Sequence, residues 1–160
     1  MENKDGIKVR GFFHLQITED DEIVGDSGWQ ENTVTNAGFE RYLSYVFAKS
    51  ANSAQIGWAA VGTGGAPAAG STLLAGEVTH NASGRDQVTA TTSSDSKAAR
   101  YTGTFASANS HNTTTINISN IGLFQGSTTN SSTLFAGASY NSSSWATNQS
   151  INYTYDISFS

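Results

Sequence analysis

The C-terminal segment Ser150–Phe159 alternates without exception. Ile151, Tyr153, Tyr155, Ile157 and Phe159 share one parity, and Asn152, Thr154, Asp156 and Ser158 share the other. Successive side chains of an extended chain point to opposite faces, so this pattern is the mark of a strand with one buried and one wet face. Such a strand needs neighbours to pair with and a layer to cover its apolar side, which commits the chain to a sheet.

A second alternating run lies near the other end. In Lys8–Thr18, Val9, Phe13, Leu15 and Ile17 oppose Arg10, His14 and Gln16. The acidic run Glu19–Glu22 follows and reads as a charged hairpin tip, with a return strand from Ile23 to near Trp29. One helix is predicted, Asn36–Lys49. Phe39, Tyr42, Leu43, Val46 and Phe47 form its apolar stripe, Asn36 is its expected N-cap, Glu40 sits in its first turn and Lys49 near its end. Further strands are expected at Gln55–Val61, from near Glu77, and at Gln87–Thr92, Arg100–Ala106, Thr114–Ser119 and Thr133–Tyr140. Ser71–Leu74 reads as a short turn, and Ser107–Asn112 and Gly126–Ser132 as loops. With 16 Gly and one Pro, turns fall to Gly and Asn, which tolerate positive φ. The expected fold is mainly β, a jelly roll or β-sandwich with one short helix near the N-terminus. Residues 9–160 form a single domain, and Met1–Lys8 a flexible N-terminal arm.

Bulk composition narrows the functional classes. Charged residues make up only 13% of the 160, so Ser, Thr and Asn supply the polarity. The absence of Cys fits folding in a reducing compartment. Met1–Lys8 has no apolar run to make a signal peptide, and no stretch approaches the length of a membrane span. The formal net charge of −5 argues against nucleic acid as a partner.

No catalytic, cofactor-binding or metal-ligating residue is assigned. Gly62-Thr63-Gly64-Gly65 lacks the Lys-Ser/Thr pair of a phosphate loop and reads as a turn. His14, His80 and His111 are scattered, without the spacing of a zinc site. The acids of Glu19–Glu22 are consecutive, whereas a calcium loop alternates them. There is no Gly-x-Ser-x-Gly elbow, and the Asn-x-Ser/Thr sequences Asn81-Ala82-Ser83 and Asn112-Thr113-Thr114 follow from an Asn-rich composition. A glycan-active enzyme would need a carboxylate pair, and the acids thin out beyond Glu40. Trp29, Trp58 and Trp145 are dispersed, which favours core packing or a partner interface over a sugar platform. Trp145, in a polar stretch, is expected to be an exposed anchor.

Taken in order, several segments resemble a family of small tailed-bacteriophage virion proteins. They are Gly25–Trp29, Asn32–Phe39, Ile56–Gly64, Thr72–Glu77, Arg85, Tyr101–Phe105, Ile118–Phe124, Leu134–Ala136 and the closing strand. The resemblance implies architecture and assembly, with no chemistry to carry over. It implies a virion structural protein, foremost a capsid decoration or cement protein, assembled in the host cytoplasm. Its partners would be the major capsid protein or other virion proteins and further copies of itself, with a trimer expected. No cofactor, nucleic acid or membrane is implied. A tail or head fibre component, a receptor-proximal adaptor or a carbohydrate-binding module are the alternatives.

Overall fold

A computed structural model describes residues 8–40, 55–79, 84–92, 98–129 and 134–159. Among them are ten strands: β1 Val9–Glu19, β2 Glu22–Asp26, β3 Gln30–Val34, β4 Trp58–Gly62, β5 Asp86–Gln87, β6 Thr89–Thr92, β7 Ala98–Phe105, β8 Ile116–Phe124, β9 Leu134–Trp145 and β10 Ser150–Phe159. The fold is mainly β, as expected. All pairings are antiparallel and form one sheet in the order β5-β4-β8-β9-β3-β1-β10-β7-β6, with β2 also paired to β1. The two end strands, β5 and β6, are separated in the chain only by Val88, so the sheet nearly closes into a barrel.

The strands that cross from one half of the sheet to the other make the corners. β3 pairs β1 through Gln30–Asn32 and β9 through Thr33–Val34. β5 pairs β4, while β6, one residue later, pairs β7. Strands that change sheets in this way turn the corners of sandwiches and small barrels.

The two halves are buried differently, and this explains their sequences. On β1 and β10, Phe13, Leu15, Ile17, Ile151, Tyr153, Tyr155 and Ile157 face a common core and their neighbours face out. The side chain of Phe159 lies outside the described residues. On β4, β8 and β9, consecutive residues are buried: Ala59–Gly62, Asn120–Phe124 and Leu134–Ala138. Their outer face is covered by residues 63–79, whose Leu74 packs with Ala60, Phe124 and Leu134. Backbone bonds stitch the cover down: Thr63 N to Gly76 O at 3.0 Å, Gly64 N to Ala75 O at 3.1 Å, and Leu134 N to Thr72 O at 3.0 Å. Asn120 Nδ2 donates to Gly65 O and Ala75 O, at 3.1 and 2.9 Å. A side chain at Gly62 or Gly64 would collide with this returning chain. At one end, Glu77 and Arg85 form a fully buried ion pair, and the Arg85 guanidinium lies 3.6 Å from the centre of the Phe124 ring.

Several expectations shift. The strand placed at Gln55–Val61 begins at Trp58, and the strand expected from Glu77 is a single bridge to Gly62 within the cover. Gln87–Thr92 divides into β5 and β6 at the corner. β8 and β9 run on to Phe124 and Trp145, beyond the expected Ser119 and Tyr140. The helix does begin at residue 36, but its N-cap is Thr35, not Asn36. Thr35 Oγ1 accepts from Gly38 N at 3.0 Å and donates to the Leu134 and Phe135 carbonyls, so the same hydroxyl starts the helix and pins it to β9. Residues 41–49 of the expected helix and 1–7 of the expected arm Met1–Lys8 lie outside the described residues.

Candidate functional site

With the outer face of β4-β8-β9 covered, the broad open surface among the described residues is the outer face of β1, β10, β7 and β6. Its cross-strand rows follow from the register. Gln16, Asn152 and Thr104 form one, His14, Thr154 and Thr102 the next, and Phe12, Asp156 and Arg100 a third.

The segment between β2 and β3 delivers an indole to this face. Ser27 N donates to Leu15 O at 2.9 Å and Ser27 Oγ accepts from Leu15 N at 3.0 Å, so the chain stays bonded to β1. Gly28 then turns with φ of +63°, a conformation that favours glycine. The turn is closed by Asp26, whose Oδ1 accepts from Gly28 N at 2.7 Å. Trp29 comes next and is 51% exposed. Its ring lies 5.5 Å from the His14 ring, tilted by 32°, and the Arg100 guanidinium carbon is 5.9 Å from its centre.

Several charged groups on this face are bonded to one another or to polar neighbours. Asp26 Oδ1 also accepts from His14 Nε2 at 2.6 Å, and Oδ2 accepts from Gln16 Nε2 at 2.9 Å. The bonds from Gln16, Gly28 and His14 hold the Asp26 carboxyl down at about 2. Arg100 grips Asp156 with two bonds of 2.8 Å, which raises the guanidinium further. Asp26 and Asp156 are thus carboxylates on one open face, the first engaged by His14, Gln16 and Gly28 and the second by Arg100.

A second polar cluster sits where the barrel closes. Asp86 Oδ2 on β5 accepts from Tyr153 Oη at 2.8 Å and from Thr104 N at 3.1 Å, tying the seam to β10 and β7. Burial raises the Asp86 carboxyl, and the bonds from Tyr153 and Thr104 oppose the rise. His111 is buried beside it, edge-on to Phe105 at 5.2 Å. Asp86 is half-buried and His111 buried, and the bonds of Asp86 tie the seam together.

The residues singled out in the sequence fall as follows. Thr63 and Gly64 spend their amides on the cover, so this turn does not present them to a phosphate. The acidic run is the β1–β2 hairpin tip, with Asp20 and Asp21 at positive φ. Its Glu19 accepts from Asn148 Nδ2 and Gln149 Nε2 at 2.8 and 2.9 Å. His14 and His111 lie on opposite sides of the sheet wall, and His80 is outside the described residues. Among the described residues no group of three His, Cys, Asp or Glu could hold a metal ion. Trp145 is no exposed anchor: it is fully buried, with Nε1 donating to Gln149 O at 2.8 Å. The exposed tryptophan is Trp29. The available signal was Asp26-Ser27-Gly28, a turn sequence that interrupts the return strand just before it.

Set against protein-family models, curated proteins and solved structures, the chain matches none of them. No described helix is long and apolar enough to cross a membrane.

Proposed function

We propose that this chain is a non-catalytic structural protein of a tailed-bacteriophage virion, a capsid decoration protein that binds the assembled shell and strengthens it. The observation that carries the reading is the ordered series of segments resembling such proteins, together with the work those residues do here. Gly62 and Gly64 admit the returning cover, Glu77 and Arg85 clamp its end, and Leu74, Phe124 and Leu134 fill the layer beneath. These residues keep a fold, which is what a structural role asks of them. The open face suits the same role, since Asp26 and Asp156 are bonded and many of its other polar groups are hydroxyls and amides. Such a surface forms neutral hydrogen bonds at low desolvation cost, and a symmetric shell multiplies weak contacts by avidity. The partner is the major capsid protein, and the bound form a homotrimer at threefold positions.

The test is to mix the purified chain with shells lacking it. Binding at a fixed ratio per capsid subunit, with a raised disruption temperature of the shell, is the expected result. Failure to bind shells, with detection only on tails or fibres, would replace this reading by that of a fibre component or receptor-proximal adaptor.

A further inference from the structure

We infer that the open face around Trp29 is a binding site for uncharged sugar rings of a glycan. This does not depend on where the protein sits in a particle.

Trp29 is held ready and left in water. A buried indole would contribute to stability by the area it removes from solvent, yet this one is 51% exposed. It is nonetheless not free to wander: Gly28, the Asp26 carboxylate and the Ser27 bonds to β1 fix its backbone, and His14 backs its ring. An aromatic surface already ordered loses little entropy when a ligand covers it.

The surroundings select the ligand. Thr154 and Thr102, in the row of His14, make no hydrogen bond through their hydroxyls. Asn152 Nδ2 and Arg100 Nη1 likewise have capacity left after the bonds that fix those side chains. The face therefore offers a flat apolar ring bordered by solvent-facing hydroxyls and amides, with the nearby carboxylates of Asp26 and Asp156 already bonded. Protein hot spots centre on a contiguous apolar patch. Here the face adds the half-buried Phe12 in the next row, while the large exposed apolar side chains are Ile23 and Val24 on β2 near the hairpin tip and Leu73 on the cover. A pyranose has a C–H face to lie on the indole and a rim of hydroxyls for the neutral groups around it.

The experiment is native electrophoresis of the purified full chain in gels containing dextran, β-glucan or galactomannan, with alginate as an anionic comparison. Retardation by at least one neutral polymer is expected, with little by alginate. Trp29→Ala should weaken that retardation about tenfold or more in apparent Kd. Thr154→Val, which leaves the indole in place, should weaken it severalfold, and Leu73→Ala should have no effect. Circular dichroism melts establish that each variant is folded. No retardation of the parent chain by any neutral polymer, or equal retardation of folded Trp29→Ala, overturns the inference. If the parent chain ignores every polymer and Trp29→Ala abolishes binding to shells, the face is a protein contact and the glycan assignment is wrong.

Discussion

Replacing Glu77 by Gln removes the counter-charge of an arginine that has no access to water. Both side chains of the pair are 0% exposed. Arg85 donates to the two Glu77 oxygens at 2.7 and 3.0 Å and to Gly126 O at 2.7 Å, with Phe124 against its face. An amide oxygen can accept one of the two lost bonds but cannot neutralise the guanidinium. Breaking a buried pair from one side costs about 3–5 kcal/mol, against the 5–15 kcal/mol that holds an ordinary domain together. At roughly 2–4 °C per kcal/mol for a chain of this size, the melting temperature should fall by roughly 6–20 °C. Arg85→Met, which takes the guanidinium away from the buried carboxylate, should cost a similar amount. The double change Glu77→Leu with Arg85→Met removes both charges and should recover most of the loss, because an apolar replacement of a buried pair is often neutral. Urea titrations followed by tryptophan fluorescence, with thermal melts alongside, on the parent, Glu77→Leu, Arg85→Met and the double variant give the four corners of a cycle. A Glu77→Gln variant within about 1 kcal/mol of the parent would refute the reasoning. So would a double variant as unstable as the sum of the singles.

Other outcomes follow from the same geometry. Phe13→Ala, at a fully buried core position, should lower stability by about 3–5 kcal/mol in urea titrations. Thr35→Val removes the helix cap and the bonds to the β9 carbonyls, and should cost about 1–2 kcal/mol in the same assay. Tyr153→Phe leaves Asp86 at the seam with one donor fewer and should cost about 1–3 kcal/mol. Asp26 is held at about 2, below its unfolded value. Its contribution is therefore complete above about pH 4 and is lost as pH falls through about 2. Asp26→Asn should flatten the acid limb of stability across that window, read as the urea midpoint against pH.

Legibility in the sequence tracked solvent. β1 and β10 have one wet face, so their polar residues fall on alternate positions and the register of the core could be read directly. β4, β8 and β9 are buried on both faces where the cover lies, so Ala59–Val61 and Ile121–Phe124 show continuous apolar runs that mark neither face nor end. β3 escaped notice because it is a corner: Gln30, Glu31 and Asn32 pair with β1 while Thr33 and Val34 have moved to β9. Thr35 and Asn36 are equally good caps by composition, and the carbonyls of β9 decide between them. Trp29 and Trp145 look alike in sequence, each in a polar stretch. One is held over the open face by a turn and the other is packed against Phe105, at 6.3 Å between ring centres, a difference made by residues far away in the chain. The Glu77–Arg85 pair, only eight residues apart, was invisible because its burial depends on Phe124 and Gly126, far along the chain.

The pairing of β1 with β10 fixes when this chain can finish folding. Val9 lies opposite Phe159 and Thr18 opposite Ser150, so β1 is completed by a strand far downstream of it. During synthesis the β1–β2 hairpin emerges early, with one edge of β1 bare and its apolar face turned toward a core that does not yet exist. Contacts this distant along the sequence close slowly, because the entropy of the intervening loop is lost before the pairing rewards it. Through that interval the row from Phe13 to Ile17 is a template for other chains, and the yield of folded protein is set by how fast β10 arrives relative to a stray strand.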